Sequence, residues 1–118
     1  MSRDGNLGVR TQVLLWTAQR ASAAVLAVCV VVHLVTIIYA VRNGLSAAEV
    51  LGRTQGSVAW GAFYSVFVAA VAVHTPIGLR SVLAESLNWR GAGLEATVVA
   101  LGLALALWGF RAVWAVFA

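Results

Sequence analysis

Three long stretches of this chain carry almost no charge, and that alone restricts what it can become. Ala21 to Val41 runs for 21 residues without an Asp, Glu, Lys or Arg, and Thr54 to Leu79 for 26. Thr97 to Phe117 is broken only by Arg111. A helix needs about 20 mostly apolar residues to cross the hydrocarbon of a bilayer, so each stretch is long enough to span it. The composition agrees: 62% of the 118 residues are hydrophobic and 10% are charged, where a soluble domain averages about 25% charged. The expected fold is an all-α integral membrane protein with three transmembrane helices, over residues about 21–41, 60–83 and 97–117, in a single membrane domain spanning 1–118. Three spans use up the chain, so any chemistry has to happen between helices or with help from other chains.

The segments between the spans are short. The start of the chain, with Arg3, Asp4, Gly5, Asn6 and Gly8, reads as loop. Thr11 to Arg20 reads as a short interfacial helix start ahead of the first span. The connection from Arg42 to Arg53 contains Ser46 and, three residues on, Glu49, the spacing of a capping box around a helical turn. Arg80 to Glu95 forms the second connection. Pro76 falls near the end of the second span, where it removes a backbone donor and crowds the carbonyl of Ala72, so a kink is expected there. Gly102, Ala106 and Gly109 read as a packing face on the third span. The first apolar run is too long for a signal peptide and lacks a small-residue cleavage pattern. No internal repeat is evident, and the single cysteine, Cys29, reads as a small buried apolar residue.

The eight basic residues are all arginine, scattered singly, and the formal net charge is +4. They flank apolar runs, which is a membrane pattern rather than a nucleic-acid one, so no nucleic-acid partner is expected. With the N-terminus inside, Arg3, Arg10, Arg20, Arg80 and Arg90 share one side, and Arg42, Arg53 and Arg111 the other. The positive-inside rule therefore favours a cytoplasmic N-terminus and an outer C-terminus. The aromatics fit this, with Trp16 and Trp89 near the inner interface and Tyr39, Trp60 and Trp114 near the outer one.

The chemistry concentrates in His33 and His74, one inside each of the first two spans. An ionisable side chain at that depth is costly and points to function. The plainer alternative is a neutral imidazole hydrogen-bonded across helices. Zinc takes three or four ligands, which the chain does not offer. Haem iron takes one or two axial imidazoles because the porphyrin supplies the rest. Ala70, His74 and Gly78 share one helix face, and these small residues would leave room for a flat ring beside the imidazole; the alternative for such a stripe is close helix packing. Arg80 could meet a haem propionate or simply flank the span. If Arg20 and Arg80 mark one level, His33 lies about 20 Å and His74 about 9 Å above it, a difference of roughly 10 Å. Two nitrogens on one iron are only ~4 Å apart. One ligand for each of two haems is therefore the better reading, with a second chain completing both sites.

Two stretches carry a family resemblance. Gln19-Arg20-Ala21-Ser22-Ala23 resembles the "H/Q-R-x-S-G" approach to the first helix in the cytochrome b membrane-anchor subunits of succinate dehydrogenases and fumarate reductases. His74-Thr75-Pro76-Ile77-Gly78-Leu79-Arg80, followed by Glu85, resembles their "H-x-x-x-G-[IL]-R" plus an acidic residue. The resemblance implies that His74 is a haem b axial ligand and that Arg20 sits at the quinone site near the haem propionates. It implies that Ser22 belongs to the same site, and that Arg80 and Glu85 mark the inner end of the second helix. His33 resembles the first-helix histidine of two-haem members. Trp16 stands where the family often has serine, and Ala23 where glycine is usual.

The resemblance further implies flavoprotein and iron–sulfur subunits docked on the inner face of a bacterial inner (plasma) membrane. It implies a second membrane-anchor chain, homolog or symmetry mate, sharing two haem b groups, and a membrane quinone as electron partner. In that role the chain would place and tune cofactors rather than act on the dicarboxylate. No side chain is assigned as catalytic: Ser22, Ser65 and Thr75 have no base and acid beside them. Two alternatives stay open, a haem-free anchor or assembly subunit and a small oligomeric transporter. The transporter is weakened by Glu49, Glu85 and Glu95 all lying in connections or at span ends.

Overall fold

The computed structural model describes residues 8–118, so the loop expected at the extreme N-terminus and its Arg3 lie outside the described residues. The order of elements is α1 (Val9–Arg42), α2 (Ala47–Thr54), α3 (Val58–Ser86) and α4 (Ala92–Phe117). The described residues contain no strand. α1, α3 and α4 are each long and apolar enough to cross a membrane, and each contains one expected span.

The helices outrun the expected spans. The turns from Thr11 to Arg20 belong to α1 itself, which runs unbroken for 34 residues. That is about 51 Å at 1.5 Å per residue, against about 30 Å of hydrocarbon. The second connection shrinks to residues 87–91, because α3 continues to Ser86 and α4 begins at Ala92. Arg80 and Glu95 can stay helical because they neutralise each other. The Arg80 Nε donates to both Glu95 oxygens at 2.9 and 3.1 Å, and Nη2 donates to Oε2 at 2.7 Å. Beside this fork the ends of α3 and α4 at their shared turn, the inner end in the orientation expected from the arginines, close over Ala84, Leu94 and Val98.

α3 is the central helix, packed against α1 on one side and α4 on the other. Lipid tails are as apolar as leucine, so helices in a bilayer associate through small and polar residues rather than by excluding oil. Both seams follow that rule. Along α1 the buried and half-buried positions include Gln12, Leu15, Gln19, Ser22, Leu26, Cys29, His33, Thr36 and Ala40, alternating three and four residues apart. That spacing keeps one stripe facing a neighbour crossed at a shallow angle. Between Ala21 and Val41 the stripe holds Ser22, His33 and Thr36, leaving only Tyr39 among the polar side chains outside it, while the valines and isoleucines of α1 are exposed.

The α3–α4 seam is built on glycine. A Cβ added at Gly109 would lie 2.5 Å from Val68, one at Gly61 2.8 Å from Phe117, and one at Gly102 3.0 Å from the Pro76 ring. Gly102 and Gly109 thus form the packing face expected of them. α3 runs through Pro76 without ending. Gly102 lies over the turn where Pro76 leaves the Ala72 carbonyl without its helix donor.

The opposite end, outer in that orientation, is tied by capping hydrogen bonds. The Ser46–Glu49 capping box expected from the sequence opens α2, with Ser46 N–H donating to Glu49 Oε1 at 3.1 Å and Glu49 N–H to Ser46 Oγ at 3.2 Å. At the other end of α2, Thr54 Oγ1 donates to the Val116 carbonyl at 2.7 Å. The Gly56 N–H donates to the Phe117 carbonyl at 2.8 Å. These carbonyls belong to the last turn of α4 and have no helix donor of their own, so α2 and its exit cap α4.

Candidate functional site

Both histidines lie on the α1–α3 seam, and each meets a hydroxyl from the opposite helix. His74 of α3 has Nδ1 3.3 Å from Ser22 Oγ of α1. His33 of α1 has Nδ1 3.3 Å from the Tyr64 hydroxyl of α3. Each ring therefore keeps Nε2 outside these contacts. A ligating imidazole commonly engages its second nitrogen with a hydrogen-bond partner in this way, which orients the ring.

The two rungs fix the register of the seam. From Ser22 to His33 is eleven residues along α1, and from Tyr64 to His74 is ten along α3. The histidines thus lie about 15 Å apart along the helix axes. This is larger than the roughly 10 Å expected from sequence, and the register explains why. The Gln19 amide lies over Gly78, 3.0 Å from where a Cβ would be. Arg20 is therefore level with about Ile77, and Arg80 sits one turn further toward the inner end, about 5 Å away. Treating the two arginines as one level shortened the estimate by that turn. At about 15 Å the two imidazoles cannot clamp one iron.

The inner rung is compact. Ser22 is buried, and its hydroxyl also donates to the Gln19 carbonyl at 3.0 Å. The Gln19 Oε1 is buried and finds no hydrogen-bond partner among the described residues. The Gly78 end of the small-residue face, where the sequence left room for a flat ring, is covered by the Gln19 amide, because glycine lets that side chain lie against the helix. Arg20 is exposed, with its guanidinium 5.2 Å from the centre of the Trp16 ring. Among the described residues no hydrogen bond joins Arg20 to Ser22 or His74. Arg80, buried at the inner end, is forked on Glu95, and Glu85 is exposed near the end of α3.

The outer rung is aromatic. The His33 ring meets Tyr64 and Phe67 edge-on, with centroids 5.6 Å away in both cases. Trp60 stacks on Tyr64. Beside them opens a cleft of about 370 Å³, lined by His33, Thr36, Tyr39, Arg53, Trp60 and Tyr64 among others. Arg53 from α2 lies over the Tyr39 ring at 5.4 Å. Sequence reading missed Tyr64, although Trp60, Phe63, Tyr64 and Phe67 recur at the three- and four-residue spacing of one helix face. It also missed Glu95 as the partner of Arg80. Among the described residues no three His, Cys, Asp or Glu side chains converge as a chelating metal site.

Outside the spans, the Glu49 carboxyl is held below its ordinary value by the Ser46 backbone N–H, then by the Ser46 hydroxyl and, more weakly, by Arg53.

A family model described as "Succinate dehydrogenase/Fumarate reductase transmembrane subunit" matches residues 2–116. No curated protein and no solved structure gives a match. Three apolar helices and a match over nearly the whole length agree with one another, and the chain belongs to the family of transmembrane subunits of succinate dehydrogenase and fumarate reductase.

Proposed function

We propose that this membrane anchor carries one axial ligand for each of two haem b groups and passes electrons between the iron–sulfur subunit of its complex and a membrane quinone. The observation that carries this reading is the pair of imidazoles on one seam, about 15 Å apart, each with Nδ1 on a hydroxyl and Nε2 left for an axial bond. Bound haem would supply one-electron redox chemistry. The donor set fits it: an iron in a porphyrin asks each helix for only one imidazole, and this chain offers one per level.

His74 would hold the inner haem and His33 the outer one. A second anchor chain, a homolog or a symmetry mate, would supply the opposite ligands. Ser22 and Tyr64 would orient the imidazoles, and the edge-on contacts of Tyr64 and Phe67 would steady the His33 ring. Arg20, one turn above Arg80, is the nearest free-standing cation for a propionate or a quinone oxygen at the inner level. Arg80, forked on Glu95, is the better candidate for holding α3 to α4 where the soluble flavoprotein and iron–sulfur subunits dock. In this reading the N-terminus is cytoplasmic, the C-terminus faces outward, and the membrane is a bacterial inner membrane.

The test is the haem-to-chain ratio and the reduced-minus-oxidised spectrum of the purified complex. Two b-type components, one lost in His74→Ala and the other in His33→Ala, are expected. One haem per two anchor chains, unaffected by His33→Ala, would sink the two-layer reading. A haem-free anchor is the second reading, favoured by the hydroxyl partner each imidazole already has across the seam. Absence of a Soret band after a mild preparation would select it.

A further inference from the structure

The two hydrogen bonds of Ser22 together say more than either alone. A serine hydroxyl has one hydrogen to give and lone pairs to receive. The Gln19 carbonyl, 3.0 Å away, can only accept, so both Ser22 contacts are made at once only when its hydrogen points there, back along its own helix. What remains toward His74, at 3.3 Å, is a lone pair. A lone pair facing an imidazole nitrogen is satisfied only if that nitrogen carries the proton. We propose that Ser22 is a positioning residue that fixes His74 as the Nδ1–H tautomer, so that the Nε2 lone pair is reserved for an axial bond. This rests on the reading of His74 as a haem ligand for its use, but not for its geometry.

The surroundings favour the lock. Ser22 is 7% exposed, so its oxygen is shielded within the seam. The hydroxyl is held by its own helix and not by a ligand, so the tautomer is set before anything binds. Tyr64 cannot play the same part at the outer rung. Its hydroxyl meets His33 Nδ1, and among the described residues no second acceptor fixes its hydrogen, so it can donate or accept there. One imidazole is therefore committed in advance and the other is not. The lock would also tune a bound haem: an acceptor on Nδ1–H makes Nε2 more basic, which would favour oxidised iron.

The direct test needs no haem. The full chain, labelled with ¹⁵N-histidine and reconstituted in lipid without haem, carries only two imidazoles, and His33→Ala assigns them. His74 is expected to show a protonated Nδ1 and an unprotonated Nε2 in the parent chain, and a mixture of both tautomers in Ser22→Ala. The opposite tautomer in the parent, or an unchanged spectrum in Ser22→Ala, would overturn the proposal. In the assembled complex Ser22→Ala should favour reduced iron at the inner haem by about three- to tenfold, a rise of about 30–60 mV at 59 mV per decade. Ser22→Thr, which keeps the hydroxyl, should restore the potential. An inner potential unmoved by Ser22→Ala counts against the lock. A complex without haem overturns the haem reading and leaves the nitrogen spectra to judge the tautomer.

Discussion

The two rungs of the α1–α3 seam use the same pair of groups, an imidazole and a hydroxyl, in opposite ways. At the inner rung the histidine comes from α3 and the hydroxyl from a buried serine that its own helix has already oriented. At the outer rung the histidine comes from α1 and the hydroxyl from a tyrosine inside an aromatic stack, beside an open cleft. The inner imidazole is held by a short, stiff partner, and the outer one by ring edges. The contrast teaches that depth alone does not define an intramembrane histidine. The second nitrogen's partner decides how rigidly the first one is offered.

The widest break in the comparison is His74→Ala against His33→Ala in the whole complex. Each should remove one b-type component and leave the other, read by redox-resolved optical spectra; loss of both from either change would mean that the rungs are not independent. Next in size is the seam on the far side of α3. Glu95→Ala leaves the buried Arg80 without its forked carboxylate. It should lower the stability of the α3–α4 pair by about 2 kcal/mol, below the 3–5 kcal/mol of a fully buried pair because the Glu95 side chain is 41% exposed. Thermal unfolding in detergent would read it, and the b-type component assigned to His33 should be unchanged.

Gly109→Ala should cost about 1–3 kcal/mol by the same measurement, because the new methyl would stand 2.5 Å from a Val68 carbon. Tyr64→Phe removes only the outer hydroxyl and keeps the ring stack. A loss of about 1 kcal/mol is expected, with a change confined to the outer component's spectrum. An equal shift in both components would erase the distinction between the rungs.

The smallest effect is at the outer cap. Glu49 has its folded pKa lowered below the ordinary 4.5, so its contribution is present above that pH and is lost as pH falls through the folded value. The protection factors of the α2 amides, exchange rates divided by their intrinsic rates at each pH, should fall on acidification in the parent chain. In Glu49→Gln, which has no carboxyl to titrate, that fall in protection should vanish.

Much of this was legible beforehand, and particular residues show why. Uncharged runs of 21 and 26 residues announced the spans, because a bilayer tolerates little else. Ser46 and Glu49 announced the start of α2, because a capping box is closed by residues three apart. His33 and His74 stood out because ionisable groups are rare at that depth. Less legible was the length of the helices. Arg80 and Glu95 read as markers of a connection, since a charge in sequence looks like an end of a span, yet paired they sit inside α3 and α4. Tyr64 was hidden because an aromatic at helical spacing is ordinary in a membrane helix until its partner is known.

The sequence by itself determined that this chain is three membrane helices carrying two imidazoles at different depths. Those facts depend on local composition and on the fixed rise of a helix. Only the tertiary structure decided how far apart the imidazoles stand, which hydroxyl each one meets, and which arginine is already engaged. These depend on the register between helices. A turn of sliding along α1 changes that register by about 5 Å without altering a single run of apolar residues. Here the Gln19 amide over Gly78, the Ser22 hydroxyl on His74 and the Tyr64 hydroxyl on His33 set it.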